Sequence, residues 1–174
     1  GHPQTALFAL YLSLAWLGYR LWQAGATAWR PWLARFVMSA AVIGLVAGGL
    51  AAVQLLPGLE YLRHTSRDAL AYAEKAHGFP LRELVQIVFP GIMSEWSPLY
   101  VGIAGLALAL VAVWRRAAHS RFFAIAALVA LVWSLGAGTV LFDAIYLIAP
   151  GVSWFRGQER AAYLVAQCAA ILAG

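Results

Sequence analysis

The sequence predicts an all-α fold, a polytopic bundle of transmembrane helices whose extracytoplasmic loops contain short interfacial helices. Composition is the first observation behind this prediction. Of the 174 residues, 63% are hydrophobic and 11% are charged, whereas soluble domains are about 45–50% apolar and about 25% charged. The second observation is that the apolar residues form long uninterrupted runs. The third is that short, arginine-rich connections alternate with long connections that hold every carboxylate.

Five apolar runs are the predicted spans. A backbone amide in lipid must find its partner within the protein, which restricts spans to helices or closed barrels. The runs lack the alternation of barrel strands, so we interpret them as helices. They lie at about residues 5–22, 33–56, 99–115, 121–137 and 160–174, in one membrane domain that covers residues 1–174. The last run is shorter than the roughly 20 residues that a span needs, and the first residue is Gly1. We therefore expect an internal segment of a longer protein.

The arginines predict which side of the membrane each loop faces. The two short connections, residues 23–32 and 115–121, hold or adjoin six arginines and contain no carboxylate. These arginines are Arg20, Arg30, Arg35, Arg115, Arg116 and Arg121. Since positive residues in short loops are retained in the cytoplasm, we expect the long loops 57–98 and 138–159 to face outward.

The first outer loop contains two predicted short helices. Residues 57–76 are rich in helix formers, and His77-Gly78 supplies a stop signal. Pro80 opens the second helix, in which apolar residues recur at helical spacing until Pro90-Gly91. Each of these two helices is expected either to lie flat in the membrane interface or to pack on the spans below it.

The second outer loop contains one more predicted helix. Residues Val140–Ile148 are apolar except for Asp143, and Pro150-Gly151 follows them. This segment is too short to span a bilayer. We expect a shallow re-entrant helix or an interfacial one.

The basic charge balance does not indicate a nucleic-acid partner. The net charge is +5, but the basic residues are divided among loops beside apolar runs and form no single stripe. The sequence also has no phosphate-cradling glycine loop, no zinc-type His/Glu pair and no nucleophile elbow. No cofactor is evident, and membrane lipids are the partners that the composition predicts.

The outer mouth of the second span holds the first group of candidate substrate-binding residues. Gln54 and Glu60 bracket its end, and ionisable groups at such depth are costly and tend to face a cavity or a partner. The alternative is a hydrated Glu60 paired with Arg63 or His64 one turn on. Arg67 follows, either as a ligand-binding cation or paired with a neighbour.

Arg156 and Arg160 are the second group of candidates. Two guanidinium groups four residues apart can share one helical face, and each presents a planar fork that matches phosphate oxygens. This spacing predicts a phosphate clamp. The alternatives are a pair that anchors lipid headgroups and a surface ion pair between Arg160 and Glu159.

Short motifs occur in a set order along nearly the whole chain. They are Gly1-His2-Pro3-Gln4-Thr5, Gln54-Leu55-Leu56-Pro57 with Glu60, Ser66-Arg67, Gly136 with Thr139-Val140-Leu141-Phe142, Pro150-Gly151, and Phe155-Arg156 with Arg160. In this order and spacing they resemble the landmarks of the bacterial YfhO membrane-protein family. The chain departs from the family pattern at Val140 and within Gly157-Gln158-Glu159, where the family has proline.

The resemblance implies an activity. The YfhO family is similar to the GT-C class of polytopic glycosyltransferases, which transfer a sugar from a polyprenyl-phosphate donor outside the cytoplasmic membrane. It implies a bacterial cytoplasmic (inner) membrane location, a lipid-linked sugar donor and a cell-envelope polymer or lipid as acceptor, and it adds His2 to the candidate substrate-binding residues. The catalytic carboxylate of GT-C enzymes is expected on the first outer loop, which would precede Gly1. The resemblance also leaves open a divalent metal in the full-length protein.

Two other functions fit the same sequence. A transporter or flippase for a lipid-linked precursor would use charged outer loops to gate a pathway, and a non-catalytic scaffold would use them in envelope assembly. Transporters often contain paired repeats and charges near the membrane midplane, whereas here the charges lie at the outer ends of the spans and no repeat is visible. An acidic residue in an outer loop soon after the first span of the full-length protein would favour the enzyme.

Overall fold

A computed structural model describes residues 3–25, 28–63, 72–94 and 98–174. Within these residues every regular element is a helix and no strand occurs, which confirms the all-α prediction. The α-helices are α1 (Pro3–Gln23), α2 (Trp29–Arg63), α3 (Tyr72–Lys75), α4 (Ile103–Trp114), α5 (Ser120–Ser134), α6 (Val140–Ile148) and α7 (Ala162–Ala173). The 3-10 helices are Leu81–Ile87, Gly136–Gly138, Val152–Trp154 and Gln158–Ala161.

The chain divides into two compact units. The main unit comprises Gly1–Ala9 and Leu70–Gly174, and the hairpin unit comprises Leu10–Ala69. The boundary therefore falls inside α1, whose first turns belong to the main unit. That both units belong to one membrane domain stays a prediction.

Aromatic packing joins the two helices of the hairpin unit. The Trp32 indole Nε1 donates a hydrogen bond to the Gly18 carbonyl at 3.3 Å. Trp32 also stacks on Phe36, with the ring centroids 5.3 Å apart. A Cβ at Gly18 would touch the Trp32 ring at 3.4 Å, so the glycine leaves room for the aromatic side chain.

Helix α2 is the one helix among the described residues that is long and apolar enough to cross a membrane. Its stretch Trp29–Gly58 has 30 residues, and none of its most apolar window is buried. Large apolar side chains along it, such as Leu50 and Val53, are exposed. Helix α1 has sufficient length but lower hydropathy. Helices α4 and α5 are apolar but have 12 and 15 residues, about 18 and 22 Å at 1.5 Å per residue.

Several predicted boundaries differ from the helices observed, and local residues account for two of the differences. The second span was predicted to end at residue 56, but α2 continues through Pro57 to Arg63. A proline removes only one helical hydrogen bond, and the helix formers that follow it sustain the helix. The third span was predicted to begin at residue 99, but α4 begins at Ile103, because Gly102 takes a φ of +84° at the helix start.

The main unit is built around α7, which packs against both α4 and α5. Phe79, Leu99 and Ala162 form a buried apolar cluster, and Leu131 and Val165 pack against it. The aromatic ring of Phe8, near the start of α1, packs edge-on against Trp133 with centroids 5.0 Å apart. The first turns of α1 are therefore part of this core.

The segment after α3 approaches the end of α5 at backbone contact distance. The Phe79 amide donates to the Ser134 carbonyl at 2.8 Å, and the Ala137 amide donates to the Ala76 carbonyl at 2.9 Å. Between these bonds, a Cβ at Gly78 would lie 2.4 Å from the Leu135 carbonyl carbon. The approach is possible because Gly78 has no side chain.

Replacement of Gly78 by alanine is expected to destabilise the main unit by about 3 kcal/mol, because the added methyl group meets backbone atoms that cannot move aside. Gly105→Ala is the matched control. Nothing lies within 4 Å of a Cβ at Gly105, and alanine is favoured over glycine inside a helix by about 1 kcal/mol. Thermal unfolding in detergent checks both variants. Equal melting temperatures for the two variants would contradict the close approach.

Candidate functional site

The structure brings together only part of the predicted set of site residues. Arg156 and Arg160 lie in the main unit, four residues apart around the 3-10 helix Gln158–Ala161. Gln54 and Glu60 lie exposed on α2 in the hairpin unit. On a continuous helix, two residues six positions apart point about 120° away from each other, so Gln54 and Glu60 do not share a face.

Two further predicted residues lie outside the described part of the chain. They are His2 and Arg67. Their proposed roles in substrate binding stay predictions.

Arg160 is held in place by two oxygen atoms. Its Nη1 donates to Oε1 of Gln4 at 3.0 Å and to the backbone carbonyl of Arg156 at 3.5 Å. The ion pair between Arg160 and Glu159 that was considered from the sequence is not formed among the described residues, where Glu159 Oε2 is buried without a hydrogen-bond partner. The guanidinium is thus oriented by neutral acceptors and keeps its full charge.

Gln4 is the residue that positions Arg160. Its side chain is 1% exposed, and while Oε1 accepts from Arg160, Nε2 donates to the Gly157 carbonyl at 3.2 Å. One amide therefore connects the start of α1 to the loop 156–160. Gln4 belongs to the first of the sequence motifs, but no role was predicted for it. An amide at the start of an otherwise apolar helix is the signal that could have indicated one.

Gln158 fixes the loop that carries both arginines. It is fully buried, and its Oε1 accepts a hydrogen bond from Trp133 Nε1 at 3.0 Å. Its Nε2 donates to the Lys75 carbonyl at 3.0 Å, and its backbone amide donates to the His77 carbonyl at 2.7 Å. This residue, which the sequence analysis also missed, joins α5, the end of α3 and the arginine loop.

The arrangement can bind an oxyanion. A guanidinium has five N–H donors, and in the described part of the chain Arg160 uses only Nη1. Arg156 is exposed, and its side chain has no partner among the described residues. Two cationic forks with unused donors, one of them held in a fixed orientation, match the geometry of phosphate oxygens.

A metal site is not part of this arrangement. Among the described residues, no group of three or more His, Cys, Asp or Glu side chains could hold a metal ion.

A second polar contact links α3 to α6 within the main unit. The Tyr72 hydroxyl donates a hydrogen bond to Asp143, and its ring packs edge-on against Tyr146 with centroids 4.8 Å apart. This hydrogen bond raises the pKa of Tyr72 to about 12, and partial burial and the Asp143 charge act in the same direction. The protonated phenol is therefore the form that the fold stabilises.

Comparison with known proteins gives no relative. No protein-family model matches the chain, and no match to it occurs among the curated proteins or the solved structures.

Gln158→Leu is expected to destabilise the main unit by about 3 kcal/mol, because the Trp133 N–H and the Lys75 carbonyl lose their partner while they remain buried. Gln167→Leu is the matched control. Oε1 of Gln167 is buried with no hydrogen-bond partner in the described residues, so its removal should leave the melting temperature unchanged or raise it. If Gln158→Leu melts at the wild-type temperature, the hydrogen bonds of Gln158 do not support the loop.

The Tyr72 contact is expected to make stability depend on pH in the alkaline range. A free tyrosine titrates near pH 10, so the raised folded pKa contributes stability that is complete below about pH 10 and is lost as the pH rises through about 12. Tyr72→Phe should remove this loss from a plot of melting temperature against pH. Asp143→Asn should return the tyrosinate absorbance of Tyr72 towards its ordinary range. Identical pH profiles for wild type and Tyr72→Phe would contradict the assignment.

Proposed function

We propose that the chain is part of a multi-pass membrane protein of the bacterial cytoplasmic membrane that transfers a sugar from a polyprenyl-phosphate donor to a cell-envelope polymer or lipid. The short arginine-rich loops face the cytoplasm in this proposal, and the arginine loop 156–160 faces outward. The shorter helices α4, α5 and α7 would complete their spans with flanking residues and with the rest of the longer protein.

The orientation of Arg160 is the observation that carries the proposal. A guanidinium fixed by Gln4 and by the Arg156 carbonyl is prepared to bind an oxyanion without further ordering of its side chain. The exposed apolar surface of α2 supports lipid as the surrounding solvent. A phosphate that is attached to a lipid satisfies both features.

The likeness to the YfhO family gives the reaction its class. Its first and last motifs are the ones that contain Gln4 and Arg160, and these two residues are hydrogen-bonded to each other.

The arginines would act on the leaving phosphate. As the bond between the sugar and the phosphate oxygen breaks, negative charge develops on that oxygen, and donors already aimed at it stabilise the transition state. Arg160 supplies the fixed donors, and Arg156 supplies a second charge at the exposed side. A carboxylate upstream of Gly1 would remove the proton from the acceptor hydroxyl. No described residues fit a divalent metal, and we assign no step to one.

Arg160→Ala in the full-length protein is expected to lower sugar transfer by about 100-fold, the usual cost of removing one donor that stabilises a transition-state anion. Arg156→Ala should have a smaller effect, because that side chain is exposed and no described residue holds it in a fixed orientation. Arg160→Lys keeps the charge but loses the planar fork, so it should restore only part of the rate. Transfer from a radiolabelled polyprenyl-phosphate sugar in proteoliposomes measures all three variants.

Arg82→Ala is the matched control for this experiment. Arg82 is an exposed arginine of the 3-10 helix Leu81–Ile87, on the same predicted side of the membrane, so its removal changes the net charge equally and should leave transfer unchanged. Wild-type transfer by a folded Arg160→Ala variant would exclude Arg160 from the reaction. Movement of the donor lipid across the bilayer without sugar transfer would identify a transporter in place of the enzyme.

A further inference from the structure

The loop between α4 and α5 concentrates positive charge. Arg115, Arg116 and Arg121 are all exposed, and the chain has no Asp or Glu from Pro98 to Phe142. In the described part of the structure none of the three side chains has a carboxylate, aromatic or carbonyl partner. The loop is therefore a cationic patch with its hydrogen-bond donors unused.

Arg116 occupies a position that favours glycine. The Arg116 amide donates to the Val113 carbonyl at 3.1 Å and the Ala117 amide donates to the Ala112 carbonyl at 3.0 Å, the paired bonds of a Schellman motif. Arg116 is the left-handed residue of this motif, with a φ of +53°. Because a side chain is strained in that conformation, a charge at this position is kept at a cost to the stability of the turn.

The first turn of α5 adds to the positive field. A helix N-terminus carries a partial positive charge, and here the first turn contains Arg121 and no acidic residue. The Ser120 hydroxyl in the same turn is buried, with no hydrogen-bond partner among the described residues. The amides of Ser120 and Phe122 already donate to loop carbonyls. An anion here would be held by the guanidiniums and the helix field.

The other short connection provides a contrast within the same chain. There Arg20 lies over the Trp16 ring at 5.4 Å, and Arg30 lies over the Trp29 ring at 5.6 Å. Their charges are engaged by aromatic faces. Among the described residues, two of the three arginines at the first connection are engaged in this way, whereas none of the three at the loop between α4 and α5 has such a partner.

We propose that the loop between α4 and α5 binds the phosphate of an anionic phospholipid headgroup. The occupant is a lipid because the loop joins two apolar helices whose side chains are exposed, and because Trp114, which directly precedes Arg115, is 82% exposed. Tryptophan beside arginine at the end of an apolar helix is typical of the headgroup level of a bilayer. The site is separate from the arginine loop 156–160 and does not depend on sugar transfer.

Lipid-dependent melting of the full-length protein in non-ionic detergent tests the proposal. Dioctanoyl phosphatidylglycerol should raise the melting temperature, whereas dioctanoyl phosphatidylcholine and inorganic phosphate at the same concentration should not. Each arginine should contribute about fivefold to the apparent affinity, since a basic residue near an anionic lipid surface contributes roughly 1 kcal/mol. The triple variant Arg115→Gln, Arg116→Gln and Arg121→Gln should therefore weaken phosphatidylglycerol binding by about 100-fold.

The Arg116→Gly variant shows whether Arg116 serves lipid binding or only the structure of the loop. Glycine relieves the left-handed strain, so the lipid-free variant should melt at a higher temperature than wild type, while its response to phosphatidylglycerol should weaken. The control changes Arg20, Arg30 and Arg35 to Gln, and it should keep the wild-type response to this lipid.

Three outcomes would overturn the proposal. The first is a phosphatidylglycerol response that is undiminished both in Arg116→Gly and in the triple variant. The second is an equal response to phosphatidylcholine, which would indicate non-specific detergent exchange. The third is an equal response to inorganic phosphate, which would identify a site for the free anion. If the triple variant does not fold, Arg116→Gly, which is expected to gain stability, still decides between the outcomes.

Discussion

The main unit depends on one constraint: backbone N–H and C=O groups that lie outside its helices must find hydrogen-bond partners. The segment that follows α3 is not helical, so its carbonyl and amide groups need partners elsewhere. Gln158 supplies donors to Lys75 and His77, and the end of α5 exchanges bonds with Ala76 and Phe79. In so apolar a chain water is a poor alternative partner, and each unsatisfied group would be costly. The arginine loop 156–160 is held in place because Gln158, which belongs to it, donates some of these hydrogen bonds.

The positions of the helices follow from the sequence because they depend on local properties. Apolar runs predict helices near every observed long helix, and Val140–Ile148 was predicted with the bounds that α6 has. The errors are also local. The second span was predicted to end at residue 56 although α2 continues through Pro57, and Gly102 delays the start of α4. Membrane crossing is a different matter, since among the described residues only α2 has both the length and the hydropathy that a span requires.

The candidate site was partly predictable for a related reason. Two arginines stand out in an apolar chain, so Arg156 and Arg160 could be selected from their type and spacing. Gln4 and Gln158 are neutral amides, and nothing local shows which groups they contact. The bond from Gln4 to Gly157 crosses 153 positions of sequence, and no periodic pattern describes a contact of that kind. Sequence reasoning therefore identified the charged groups and missed the residues that aim them.

The long separation between Gln4 and Arg160 has a consequence for biosynthesis. Contacts between residues far apart in sequence form late, because the intervening chain must first be made and ordered. Until the ribosome has added Arg160, the Gln4 amide has no guanidinium to orient. The bond between Gln4 and Arg160 can form only once the residues just before α7 have been made, so shorter chains would lack an oriented Arg160.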